Sequence, residues 1–156
     1  MNRALSLCLL LTVSLLVSAS PSKPRPEIMG IALGMSRDEA RTRLESIGSL
    51  EREARKRQQV WAIKDLRISH LLVGFDAESR VRYVTAIART DGPRMRYEEV
   101  ADVKSAQRMQ NQGNYKFMWE VPARHGQLAY LMIAHGHDSR YLDSYSIKIL
   151  DQEEID

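Results

Sequence analysis

Apolar positions recur along this chain with two periods, and the period changes near Val60. In GMSRDEARTRLESIG, Gly34 to Gly48, the residues Ala40, Leu44 and Ile47 stand four and three apart and form one helical stripe, with the arginines facing away. Ser36 and Glu39 have the spacing of a capping box, Met35 and Ala40 that of a hydrophobic staple, and Gly48 can take the left-handed conformation that ends a helix. This predicts a helix. The following SLEREARKRQQ fits two outcomes, a short solvated helix supported by Glu51–Arg55 and Glu53–Arg57 spacings, or a polar strand. From Val60 the alternation is strand-like: VWAI, then HLLVGF joined by DAES to RVRYVTAIA as an antiparallel hairpin. Leu71, Val73 and Phe75 fall on one face of the first arm, and Val81, Tyr83, Thr85 and Ile87 on one face of the second.

Thr90-Asp91-Gly92-Pro93 breaks the pattern, and the order then starts again. RYEEVADVKSAQRMQNQG places Val100, Val103, Ala106 and Met109 three apart, which predicts a second helix closed by Gly113. KFMWEV, LAYLMIAH and YLDSYSIKIL read as three strands, with Tyr141, Tyr145, Ile147 and Ile149 on one side of the last. A shift of 60 positions lays HLLVGFDAESRVRYVTAIA on YLMIAHGHDSRYLDSYSIK and Glu39 on Glu99, while VWAI meets MWEV at a shift of 58. The agreement in element order and turn position points to an internal duplication. The fold class that follows is α+β: two tandem α-β-β-β units, 30–89 and 90–150, each with helix packed on one face of a three-stranded meander.

The first 19 residues have the form of a secretory signal peptide: Arg3, an apolar run from Ala4 to Val17, and small residues at Val17-Ser18-Ala19. That run is short for a membrane span, and no later segment could cross a bilayer. Cys8, the single cysteine, sits too early in the run to accept a lipid, so the exported part has neither thiol nor disulfide and relies on its hydrophobic core. SPSKPRPE, within residues 20–29, reads as an extended tether, and 151–156 as an acidic tail. With 23 Lys and Arg against 20 Asp and Glu, interspersed, the charge does not argue for nucleic acid. The compartment expected is periplasmic or extracellular.

Candidate chemistry concentrates in AHGHDSR. His135 and His137, two apart on a strand, could present two imidazoles to one zinc or copper ion, but a third ligand is lacking: Asp138 is too close, and His125 and His70 belong elsewhere. His137, Asp138 and Ser139 are too nearly adjacent for a catalytic triad. The alignment instead places the stretch on the DAES turn, so Gly136, His137, Asp138 and Ser139 read as a polar hairpin tip equivalent to Asp76, Ala77, Glu78 and Ser79. Asp76 and Glu78 are ordinary solvated turn acids. Trp61, Tyr115, Phe117 and Trp119 read as core, and Arg52, Arg55, Lys56 and Arg57 as a solvated basic face. No phosphate loop, nucleophile elbow or His-Glu-x-x-His pattern is present. The residues therefore predict a non-enzymatic protein without cofactor or metal.

GMSRDEARTRL and WAIKDLRISHLLVGFDAESRV, spanning Gly34 to Ile87, resemble the SmpA/OmlA family, the outer-membrane assembly factor E type. The shared features are a Gly-Met-Ser helix start with an acid three residues on, a Trp opening the first strand, and a Phe-Asp-x-x-x-x-Val hairpin. The β-lactamase-inhibitor-like proteins are similar in plan, some carrying the unit twice. The resemblance implies an envelope adaptor that binds another protein through a sheet face or loop edge; an inhibitor inserting the hairpin tips into a secreted enzyme is the alternative, and a metal-binding protein using His135 and His137 a further one.

Overall fold

The computed structural model describes residues 23–54 and 57–150. The signal-like run, Arg55 and Lys56 of the basic cluster, and the acidic tail lie outside the described residues. Short strands β1 (Glu27–Ile28) and β2 (Ile31–Ala32) pair through a tight turn in which Met29 and Gly30 both have positive φ, 52° and 79°. Helix α1 (Arg37–Ile47) follows. Four strands come next: β3 (Gly48–Ala54), β4 (Gln58–Ile63), β5 (Ile68–Phe75) and β6 (Val81–Ala88). Two single 3-10 turns, Tyr97–Glu99 and Val103–Ser105, lead into β7 (Gln107–Asn111), β8 (Asn114–Val121), β9 (Tyr130–Gly136) and β10 (Ser144–Ile149).

All eight long strands form one antiparallel sheet in the order β3-β4-β5-β6-β10-β9-β8-β7. Each half is a four-stranded meander, and the halves meet edge to edge through their last strands, Thr85 opposite Ser146. The expected α+β class is therefore overturned: the described residues are mostly β, with one helix among them where one was expected in each half, and each meander has four strands instead of three. The second helix fails because its apolar residues are shared out. Tyr97 and Ala101 are buried and Val100 and Val103 pack on the core from the 3-10 segment, whereas Met109 belongs to an edge strand and is exposed. Gly113, with Gln112, closes a two-residue hairpin at positive φ instead of ending a helix.

The helix that does form is as the spacing predicts, with Ser36 Oγ accepting from Glu39 N–H and Ala40 and Leu44 fully buried. It ends differently: Gly48 has φ −167°, an extended value, because α1 runs straight into β3. SLEREA, Ser49 to Ala54, is thus strand, the polar alternative. A Cβ at Gly48 would come 2.2 Å from the Ala62 carbonyl oxygen, so the close approach of β3 to β4 is what calls for glycine.

One face of the sheet carries the core: Trp61, Leu71, Val73, Phe75, Val84, Ala86, Ile147, Met132, Ala134, Phe117 and Trp119, covered by α1, β1, β2 and the 3-10 segment. The tryptophans and Phe117 are buried as read. A bulge opposite Gly74–Phe75 turns Val81 inward while Tyr83, Thr85 and Ile87 point to the other face, so these four do not share a side. Part of the proline-rich lead is also structural: Ile28 is in the core, and Tyr130 Oη donates to the Pro24 carbonyl oxygen at 2.9 Å. Apolar burial, not tethering, holds that segment in place.

Candidate functional site

Two surfaces concentrate exposed chemistry, the loop tips, one at each end of the sheet because β6 and β10 run antiparallel, and the face opposite the core. The first tip spans Asp76 to Arg80. Asp76 Oδ1 accepts from the Arg80 N–H at 2.8 Å, and Ser79 takes φ 61°. The tip is stitched to the start of α1: Arg37 N–H donates to the Ser79 carbonyl, Val81 N–H to the Met35 carbonyl, and the Arg80 guanidinium to the Gly34 carbonyl. Ala77, Glu78 and Ser79 are exposed.

The second tip is longer than the four-residue turn expected. Gly136 is the last, buried residue of β9, and the loop runs from His137 to Asp143. A Cβ at Gly136 would lie 2.5 Å from both Tyr97 Oη and the Tyr141 carbonyl oxygen, so glycine is set there by packing and not by turn geometry. Asp138 accepts from the Arg140 and Tyr141 N–H groups and faces Arg94 at 3.4 Å. The Arg140 N–H, more than Arg94 or Tyr141, holds the Asp138 carboxyl below the ordinary carboxylate range. Tyr97 Oη donates to the Asp138 carbonyl oxygen, and desolvation, reinforced by Asp143 and Asp138, pushes this phenol up to about 12. Arg94 stacks over the Tyr141 ring, 4.3 Å from guanidinium carbon to centroid.

Asp143 is the residue that the sequence reading missed. Its carboxylate accepts from the His137 N–H at 3.0 Å and lies 2.6 Å from His137 Nδ1. No spacing rule would have paired them, since the loop length between was misjudged. The pair has the base–orienter half of a triad, yet among the described residues no hydroxyl or thiol is hydrogen-bonded to the other ring nitrogen. The His135 and His137 rings meet edge to face, centroids 5.4 Å apart. His70 sits on β5 against Glu51 and Ser69, separated from His135 by Ile87 and Ser144 of the intervening strands, and His125 is in the β8–β9 connection. Among the described residues no group of three His, Cys, Asp or Glu side chains gathers that could hold a metal ion.

The face opposite the core is built by register. One row crosses all eight strands: Arg52, Val60, Leu72, Thr85, Ser146, Ile133, Met118 and Gln107. Flanking rows add Tyr83, Ile87, Leu131, Lys148, His135 and Lys116. None of the apolar members of these rows belongs to the core cluster, although most are half-buried by their neighbours. Tyr83 lies over Gly74, filling what the missing side chain leaves open. The result is an apolar and hydroxyl-bearing centre with cations toward its margins.

No known protein family, characterised protein or solved structure matches the chain. Among the described residues no helix is long and apolar enough to cross a membrane.

Proposed function

We propose that the chain is an exported, non-enzymatic binding module of the cell envelope that engages a protein partner with the face of the sheet opposite the core. The observation that carries this reading is the eight-strand row from Arg52 to Gln107, in which Leu72, Ile133 and Met118 are apolar, half-buried and outside the core, while Val60 beside them is buried. An apolar centre with a polar rim is the composition of a protein interface. The signal-like leader supports export, and the resemblance to the outer-membrane assembly factor type supports an adaptor.

Leu72 and Ile133 stand on either side of the Thr85–Ser146 pair at the middle of the row. A partner recovered from envelope extracts by the wild type should be lost to the Leu72→Glu, Ile133→Glu double variant, with the melting temperature within a few degrees of wild type. Undiminished capture by that variant would remove the sheet face from consideration.

The inhibitor reading keeps one specific support: both loop tips are braced by backbone and carboxylate hydrogen bonds, which lower the ordering cost of inserting a segment into an enzyme cleft. Substituting Glu78 and Arg140 should leave capture of the partner unchanged under the sheet-face reading and abolish it under this one.

A further inference from the structure

The sheet has two open edges, β3 and β7, and they are finished differently. β3 carries Glu51, Arg52 and Glu53 in succession, has a register shift between Leu50 and Arg52, and is contacted by α1. Charges, a bulge and a covering helix are the devices that keep an edge from pairing with another chain. β7, QRMQN, has no bulge and no covering helix, and carries one charge. Its five pairs with β8 are in unbroken register, all five residues are exposed, and Met109 is 50% exposed. Its one charge is drawn away from the edge: Arg108 bonds to Gln110 Oε1 at 3.1 Å and lies over the Tyr115 and Phe117 rings on the core side of the sheet.

We propose that β7 pairs with β7 of a second copy of this chain, in antiparallel register about Met109, joining two sheets edge to edge. The two-residue turn at Gln112-Gly113 makes Asn111–Asn114 a hydrogen-bonded pair, so Gln107, Met109 and Asn111 turn their backbone groups toward β8. Arg108 and Gln110 are left with N–H and C=O directed outward. Centring the two-fold on Met109 sets Arg108 opposite Gln110 of the copy and Gln107 opposite Asn111 of the copy. Four backbone hydrogen bonds then form, the two methionines meet at a close, non-hydrogen-bonded position, and no like charges face each other. Centring on Arg108 would oppose two guanidinium groups, and centring on Gln110 would carry Arg108 past the strand to the turn residue Gln112, so the Met109 register alone pairs all five residues.

The test is sedimentation of the purified protein over a wide concentration range, with Cys8 replaced by serine. A monomer–dimer equilibrium is expected. Met109→Lys, which opposes two ammonium groups at the two-fold, should weaken it by at least about tenfold. Gln110→Pro removes an outward N–H that β8 does not use and should do the same without lowering the melting temperature. In a second arm, Met109→Cys should oxidise to a covalent dimer faster than Leu128→Cys, an exposed position elsewhere that is 48% accessible. A strictly monomeric wild type, a dimer indifferent to Met109→Lys, or equal cross-linking at 109 and 128 would each overturn the proposal.

Discussion

Each half of the sheet has one tryptophan on its core face, and the two face equivalent neighbours: Trp61 lies opposite Leu71, and Trp119 opposite Met132. The rows through them continue as Leu71–Ala86–Tyr145–Ala134–Phe117 and Met132–Ile147–Val84–Val73–Gln59. The halves therefore correspond by a pseudo-two-fold axis, and the place where they differ is next to the indole. In the first half Gln59, buried on β4, accepts the Trp61 N–H at 3.1 Å and passes its own amide to Glu53. In the second half Phe117 occupies that position, and the Trp119 N–H goes at 2.9 Å to the backbone carbonyl of Asp102 in the covering segment. The same carbonyl accepts the Ser105 N–H at 3.1 Å, and the Asp102 side chain caps the Lys104 N–H, so the indole is tied to the 3-10 turn itself. The first half is covered by a helix and the second by two 3-10 turns.

The same trade recurs next to the two loop tips. Phe75 fills the core face of β5 with Arg37 of α1 over its ring at 5.2 Å. At the corresponding position of β9 stands Gly136, and Tyr97 fills the space from the covering segment. Volume is conserved across the pair, not residue type. Elsewhere the second half relies on the chain's own lead: Lys23 to Pro26 lie along a hollow of about 440 Å³ beside Trp119, Pro122 and Tyr130.

If α1 is the principal cover of the first half, removing its buried anchor should cost far more than removing the counterpart in the second. Leu44→Ala leaves a cavity at a fully buried site and should destabilise by ~2–5 kcal/mol, whereas Val103→Ala, half-buried, should cost about 1 kcal/mol or less. Chemical denaturation of both variants measures the difference. Equal costs would mean that the 3-10 segment bears as much of the core as the helix.

The indole trade predicts a smaller effect. Gln59→Leu keeps the bulk but strands the Trp61 N–H in the core, which should cost ~1–3 kcal/mol. Trp61→Phe in that background removes the stranded donor, so the double variant should be less destabilised than the sum of the two single changes. Strict additivity would show that Gln59 acts through Glu53 alone.

These contrasts explain what was readable in the chain. Helix α1 was legible because cap and stripe agree, although its glycine stop turned out to be extended, and β5, β6, β9 and β10 because buried strands alternate. The edge strands were not. β3 is exposed along most of its length and carries charges at helical spacings, so it looks like a solvated helix. In the second half Val100, Val103, Ala106 and Met109 keep a three-residue period by coincidence of a 3-10 segment followed by an edge strand. The 60-residue shift aligned the helix starts, where Met35 and Met95 accept from Val81 and Leu142, but it lays buried Ala86 on Ser146 of the opposite face. A shift of 61 there restores Ala86 to Ile147 and Phe75 to Gly136, since one residue of slip inverts every side chain of a strand. At the candidate site the Asp76–Ser79 turn was placed, but in the second half Gly136 belongs to β9 and the loop runs on to Asp143, whose contact with His137 was not foreseen.

The loop tips supply the last and smallest test of the comparison. In the first tip the Asp76 carboxylate holds the Arg80 N–H, but the Arg37 and Val81 N–H groups that join it to the start of α1 bond to the Ser79 and Met35 backbone carbonyls, which take up no proton at any accessible pH. In the second, Asp138 holds the Arg140 and Tyr141 N–H groups, and its carboxyl titrates below the ordinary range chiefly because of the Arg140 N–H. A depressed carboxylate contributes order that is complete above its unfolded value of ~3.9 and is lost as pH falls through the folded one. Amide protection at Arg140 and Tyr141 should therefore decline on going from about pH 6 to about pH 3 while that at Arg37 and Val81 holds. Asp138→Asn keeps an oxygen for both N–H groups and has no proton to gain, so it should remove the decline. Parallel loss at both tips, or a decline that persists in Asp138→Asn, would show that the two ends of the sheet loosen together and that the carboxylate does not distinguish them.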